Sequence, residues 1–271
     1  PVERLLYWIR ERHSIYLKRK AGKPPPWTDD EVLQTVFFTN PYRENDKTTV
    51  WFRDNVREPL RDDARVLMAT VIFRWFNYIP TGGILLKYDL LTKWSQSRCV
   101  KALKNEQKIF TGAFMIVAGA GSKLEGVAEA INNVWKRRER LLRVCSDDCR
   151  MQTLWSYLCN FPYLGGFMSY EIVCDLRYTY LLENATDKDT WCNIGPGAKR
   201  GFNRVYGRPL NASIPPDLWA EKTQELLKLA RAMKLKPRME MREIEHSLCE
   251  GDKYERSRLG DGHLKRKYQG T

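Results

Sequence analysis

The chain has 271 residues, 43% of them hydrophobic, with nine Trp, enough to bury a core in one large domain or two lobes. Its 46 Lys and Arg against 33 Asp and Glu leave a formal charge of +13, which points to a polyanionic partner. No apolar run approaches the ~20 residues that span a bilayer, and the basic residues form no single amphipathic stripe, so nucleic acid is preferred over a membrane surface.

In chain order, Leu5, Leu6, Ile9, Ile15 and Leu17, interleaved with basic residues such as Arg10 and Arg12, predict an amphipathic basic helix ending near Gly22. Pro24–Pro26 stops it, and Thr28 is expected to cap the helix that begins at Trp27-Thr-Asp-Asp. A polar loop from Phe38 runs into a helix around Thr48–Val56. Asp62–Tyr78 and Asp89–Leu103 read as helices separated by a Pro80-Thr-Gly-Gly turn, and Glu106–Gly121 is mixed. Helices over Lys123–Val144 and Asp148–Asn160 follow, then a glycine hairpin at Gly165-Gly166 and the Gly195-Pro-Gly segment. The last two helices are expected over Pro216–Lys234 and Met239–Cys249. Gly260–Thr271, with Lys265-Arg-Lys, reads as a loose tail. Strand-period alternation is scarce, so the fold is predicted to be all-α. Residues 1–255 are expected to form one helical domain and 256–271 a basic tail.

Several chemistries are excluded early. Gly119-Ala-Gly-Ser-Lys123 lacks the spacer and the Lys-Ser/Thr end of a Walker motif, so no ATP-driven kinase site is expected. Neither a Gly-x-Ser-x-Gly elbow nor a dinucleotide fingerprint occurs. The seven cysteines (99, 145, 149, 159, 174, 192 and 249) are odd in number and follow no charged-then-apolar leader. They predict reduced thiols in a cytoplasm. His13, His246 and His263 offer no ligand cluster near Cys145 and Cys149, so no metal site is expected.

The segment Phe161–Val205 is the most informative. A glycine pair between two apolar helical runs suits a tight hairpin, because glycine reaches φ > 0 without penalty. Backbone N–H groups of Gly165 and Gly166, and of Gly195 and Gly197 at the next helix start, make candidate DNA contacts together with Arg10 and Arg12. The order of hairpin, apolar helix and then an aspartate resembles the helix–hairpin–helix DNA glycosylases, which work on an extruded base, in a fold of two helical lobes around a cleft. The resemblance implies that Asp189, or Asp187 beside it, is an essential carboxylate. An N-cap of the Gly-Pro-Gly helix is the alternative for Asp189, and a glycine-kinked helix pair without a DNA role is the alternative for the hairpin. No lysine stands at Gly166-Phe167-Met168, so imine chemistry is not expected.

Gly195-Pro-Gly-Ala-Lys-Arg-Gly places Lys199 and Arg200 at a helix start and suits a phosphate or pyrophosphate, with a solvated basic turn as the alternative. Asn40-Pro-Tyr-Arg43-Glu-Asn-Asp46-Lys47 and Glu243-Ile-Glu245-His246 concentrate polar groups among Phe37, Phe38 and Trp51. Arg43, Asp46, Glu245 and His246 are expected to approach one cleft, either as a substrate site or as a buried ion-pair network.

Taken in order, Tyr7-Trp-Ile-Arg-Glu-Arg, Trp27-Thr-Asp-Asp, Asn40-x-x-Arg-Glu-x-Asp-Lys-Thr, Gly166-Phe-Met-Ser-Tyr-Glu-Ile-Val-x-Asp-Leu-Arg, Gly195-Pro-Gly-Ala-x-Arg-Gly and Glu245-His-x-Leu-Cys-Glu-x-Asp-Lys-Tyr resemble the thymine-hypermodification proteins of bacteriophages. That group includes the helical domain of 5-hydroxymethyluracil DNA kinases. It also includes the stand-alone α-glutamyl/putrescinyl-thymine pyrophosphorylases, viewed as amino acid:DNA transferases. The resemblance covers the chain from Tyr7 to about Lys267.

The resemblance implies an enzyme on double-stranded DNA in the host cytoplasm, in which an amino acid or polyamine displaces pyrophosphate from pyrophosphorylated 5-hydroxymethyluracil. Asp189, Glu171 and Asp46 are the candidate bases. Arg43, Lys47, Asn40, Lys199, Arg200, Glu245 and His246 are candidates for holding substrate or phosphate. No cofactor is required, and Mg²⁺ on the pyrophosphate is compatible with the chemistry. A DNA-binding module without catalysis and a monofunctional glycosylase are the alternatives.

Overall fold

The computed structural model describes residues 1–117, 119 and 121–261. Among them are thirteen α-helices and no strand, so the fold is all-α. The chain divides into two compact units, one formed by residues 1–46 with 188 onward and the other by Lys47–Asp187.

The first unit begins with α1 (Val2–Lys20), which buries Leu5, Trp8, Ile9, His13 and Ile15 and exposes Arg4, Arg10, Arg19 and Lys20, while Arg12 and Lys18 are half-buried. Next comes α2 (Glu31–Thr35), whose N-cap is Asp30 rather than Thr28: the Asp30 carboxylate accepts from Leu33 N–H, and the Thr28 hydroxyl accepts from Asp30 N–H one step earlier.

The second unit opens with α3 (Lys47–Phe52), which loosens into a π-turn over Arg53–Arg57. Its centre is α4 (Arg65–Phe76), where every residue from Val66 to Phe76 is buried, the pattern of a helix enclosed on all sides. The expected turn at Pro80-Thr-Gly-Gly is instead the start of α5 (Ile79–Lys87). Proline fits a first helical turn, where its missing N–H costs nothing. Gly82 is needed there because Trp51 and Phe73 rings lie where a Cβ would stand, 2.5 and 2.7 Å away.

The helix expected over Asp89–Leu103 is shorter: α6 (Gln96–Leu103) starts only after the Ser95 cap. The long helix expected at Lys123–Val144 is broken into α7 (Lys123–Trp135) and α8 (Arg138–Asp147). The unit closes with α9 (Met151–Leu158) and α10 (Gly166–Leu176), which pack on each other, α10 also against α4.

Back in the first unit, α11 (Pro196–Val205), α12 (Pro216–Ala232) and α13 (Met241–Leu259) follow. Thus α13 runs well past the expected stop at Cys249 and past residue 255. The expected Lys265-Arg-Lys tail and His263 lie outside the described residues. Among the described residues, no helix is long and apolar enough to cross a membrane.

Candidate functional site

The first unit is organised by α11 lying directly on α13. A Cβ at Gly201 would stand 2.0 Å from the carbonyl oxygen of Leu248, and one at Gly197 would stand 2.3 Å from Cys249 Sγ. A side chain at Gly201 would strike backbone and one at Gly197 would displace the Cys249 side chain, so two of the glycines in Gly-Pro-Gly-Ala-Lys-Arg-Gly serve close helix contact. At the N-terminal end of α11, the backbone N–H of Gly195 donates to the Glu245 carboxylate, and a Cβ on Gly195 would come within 3.1 Å of it. The helix start expected to offer free N–H groups therefore already holds an anion of the chain itself. Its N-cap is Gly195, not Asp189.

Against this helix pair lies the loop that follows α2. Asp46 Oδ1 accepts from the backbone N–H of Asn40 at 2.9 Å and from its Nδ2 at 2.8 Å, closing the loop on itself around the 3₁₀ turn Arg43–Asn45. The Thr39 N–H donates to Glu250 at 2.9 Å, and the Thr39 hydroxyl meets His246 Nε2 at 2.8 Å. Arg43, Asp46, Glu245 and His246, far apart in sequence, thus meet: Arg43 acts electrostatically on both Glu245 and His246, and Asp46 on His246. The side-chain amide oxygen of Asn40, Oδ1, is buried and accepts no hydrogen bond from the described residues.

Electrostatics separates Glu245 from an ordinary surface acid. Burial pushes its carboxyl up to about 7, with the Arg43 charge and the Gly195 N–H only partly opposing the rise. The side chain nevertheless remains partly accessible. Burial lowers His246, against the pull of Glu250 and Asp46. Glu243, one turn behind, is raised by burial and braced by Arg242 at 2.6 Å. The neighbouring Cys249 thiol is pushed up to about 12 by burial, which makes it a packing residue.

Beside this loop, Arg12, Arg19, Trp27, Phe37 and Phe38 help to line a cavity of about 400 Å³. Arg12 is tied to the Phe38 carbonyl, and Arg19 lies over the Trp27 ring at 4.9 Å. Phe38 precedes Thr39, the partner of His246, so cavity and acid cluster share one stretch of chain.

The other predicted residues fall as follows. Asp189 belongs to the first unit, where its carboxylate is shared by Arg231 and by Arg238 at 3.2 Å. Asp187 caps α9, accepting from the N–H groups of Met151 and Gln152, both at 2.9 Å. Lys199 is half-buried in the first turn of α11, and Arg200 lies 3.5 Å from Asp252. Arg10 is exposed on α1. Lys47, Gly165, Gly166 and Glu171 belong to the second unit; Lys47 is exposed and Glu171 is buried in α10. In the connection from α9 to α10 the left-handed residue is Tyr163, at φ 65°, and neither glycine takes that conformation. Gly165 is the N-cap of α10 and Gly166 its first residue. Thr39 and Glu250 were not foreseen in the cluster; Glu250 carries a weak signal, one turn beyond His246 on the same helix face. Among the described residues no group of His, Cys, Asp or Glu is arranged to hold a metal ion.

Fold and cluster together define an all-helical protein whose first unit sets Glu245 and His246 on a close helix pair. The chain belongs to the family described as the helical domain of 5-hmdU DNA kinase, which matches residues 2–263. It is 25% identical over 281 aligned positions to the 5-hmdU DNA kinase of Bacillus phage SP10, a match covering 92% of this chain and 44% of that protein. The chain therefore spans less than half the length of this relative. No solved structure matches it.

Proposed function

We propose that this protein acts in the modification of 5-hydroxymethyluracil in phage DNA, and that the cluster around Glu245 exchanges a pyrophosphate on the base methylene for an amine. The observation that carries the reading is Glu245 itself, whose carboxyl meets the Gly195 N–H and the charge of Arg43 at the start of α11 and is raised by burial to about 7. In this reading the Glu245 carboxylate takes a proton from the incoming ammonium. The freed lone pair bonds to the exocyclic methylene carbon, and the C–O bond breaks with its electron pair leaving on pyrophosphate. Arg43 and Lys199 oppose the charge developing on the leaving group. The unused side-chain oxygen of Asn40, Oδ1, accepts from the donor's N–H. Asp189, shared between two arginines, is assigned to positioning, and Glu171 and Asp46 give up the role of base to Glu245. The net charge of +13 and the aromatic cavity beside the loop support a DNA partner whose base leaves the stack.

A second reading is favoured by the family itself: the chain is similar to the helical part of a longer kinase, and could present DNA to a separate catalytic site. One experiment separates the two. Pyrophosphorylated 5-hydroxymethyluracil DNA is incubated with the protein and a pool of amino acids and polyamines, and its nucleosides are resolved by mass spectrometry. The transferase reading expects an amine-substituted thymidine, formed at least ~100-fold more slowly by Glu245→Gln with DNA binding retained. DNA binding with no new nucleoside selects the presenting module, and alkali-labile breaks select a glycosylase.

A further inference from the structure

Asp252 is buried, with 3% of its surface exposed, yet three guanidiniums converge on it. Arg204 Nε donates to Oδ1 at 3.0 Å and Arg256 Nε to Oδ2 at 3.1 Å, while Arg200 Nε lies 3.5 Å from Oδ2 without making a hydrogen bond. The register of the two helices produces this. Arg200 and Arg204 stand one turn apart on α11, and Arg256 stands one turn beyond Asp252 on α13, so the seam at Gly201 brings all three to one carboxylate.

The arrangement carries more positive charge and more donors than Asp252 can use. A carboxylate offers about four acceptor sites, whereas each guanidinium carries five N–H donors in a planar fork. Asp261, 3.8 Å from Arg204 and largely exposed, is the other acid within ion-pair distance among the described residues, so three cations there face two anions. Arg200 Nε and Arg204 Nη2 are buried and make no hydrogen bond. Buried donors without acceptors are unfavourable, and arginines crowd together in this way where an outside anion completes them.

We propose that Arg200, Arg204 and Arg256, aligned by Asp252, form a binding site for a phosphate group. Asp252 is the positioning residue: it lowers the mutual repulsion of the three forks and fixes their planes. A phosphate offers the bidentate oxygens that such forks match, better than any single carboxylate. Asp252 follows Glu245 by seven residues on α13, two turns and about 10 Å along the same face. The site therefore suits a backbone phosphate near the reacting nucleotide. A free pyrophosphate has the same chemistry. The backbone assignment rests on the proposed action on DNA; the phosphate site does not.

The test uses Arg200→Gln and Arg256→Gln separately, since each leaves Asp252 two arginine partners. Binding of a labelled duplex is followed by anisotropy across a salt series, and binding of inorganic pyrophosphate by calorimetry. With a backbone phosphate in the site, each variant loses about 10-fold in duplex affinity and the slope of log K against log[salt] flattens by about 0.9. Arg200→Lys, which keeps the charge, restores the slope; a purely structural role would leave the slope unmoved in all variants. If only pyrophosphate binding falls, the phosphate site stands and its occupant is the free anion. If the wild type binds no duplex at all, the DNA reading fails while pyrophosphate still tests the arginines. Variants that melt like the wild type and bind both probes as it does would overturn the proposal.

Discussion

Two buried charge clusters, one in each unit, are built from the same residue types to different ends. In the second unit, Asp175 on α10 is enclosed by Arg74 and, at 3.8 Å, by Arg57, and the remaining Arg74 donors reach Asn77 at 2.8 Å and Thr49 at 3.3 Å. Arg57 also lies over the Tyr178 ring, 4.7 Å from its centre. In the first unit, the charge of Arg43 and the Gly195 N–H oppose the burial that raises Glu245 but fall short of it. A buried carboxylate matched by forked hydrogen bonds becomes a fixed joint. One buried with weaker compensation keeps a proton within reach of exchange.

Removing a partner from the matched cluster should have the largest effect. Asp175→Ala leaves two buried guanidiniums without their carboxylate and should cost about 3–5 kcal/mol in urea unfolding. A loss below ~1 kcal/mol would mean that the second cluster is as loosely tied as the first. The next effect sharpens the packing side of the comparison. Gly201→Ala drives a methyl into the Leu248 carbonyl and should destabilise the protein by about 1–3 kcal/mol. Gly83→Ala in α5, which meets open space, should instead add roughly 0.5–1 kcal/mol of stability.

The smallest effect concerns Glu245 and pH. Its carboxyl holds a proton more tightly folded than unfolded, so ionisation destabilises the fold progressively from near pH 4.5, its ordinary value, to about 7. Glu245→Gln mimics the protonated form. The variant and the wild type should match at pH 4.5, and the variant should be more stable by about 1–2 kcal/mol at pH 8, a figure reduced for partial exposure. His246 titrates in both proteins, so to first order it drops out of the difference. A gap that is constant with pH would place Glu245 with the ordinary acids.

Part of this was legible in the sequence. The all-α fold followed from apolar spacing, and the polar runs at Asn40–Asp46 and Glu243–His246 stood out because aromatic residues flank them. The residues that escaped depend on contacts between distant segments. Gly197 and Gly201 read as a phosphate loop because the same residue type permits both an exposed backbone and a close helix crossing, and the sequence does not say which side is covered. Asp189 reads as available, but its arginines, Arg231 and Arg238, lie more than forty residues further along the chain. Tyr163 takes the left-handed turn that a neighbouring glycine pair was expected to supply, because Gly165 and Gly166 are already committed to starting α10. The breaks between α7 and α8 and before α6 were missed because charged residues continue a helical pattern across them.

The seam between α11 and α13 also governs which parts of the site can be altered. α11 approaches α13, the helix that carries Glu245 and Asp252, this closely because Gly201 has no Cβ to meet the Leu248 carbonyl. The loop carrying Asn40, Arg43 and Asp46 has no such restriction: it is held by side-chain hydrogen bonds that other sequences could replace. Sequence change is thereby channelled into a short loop, leaving the helix pair as the unchanging half of the cluster. An engineer wishing to retarget this protein would randomise the loop and leave the glycines alone.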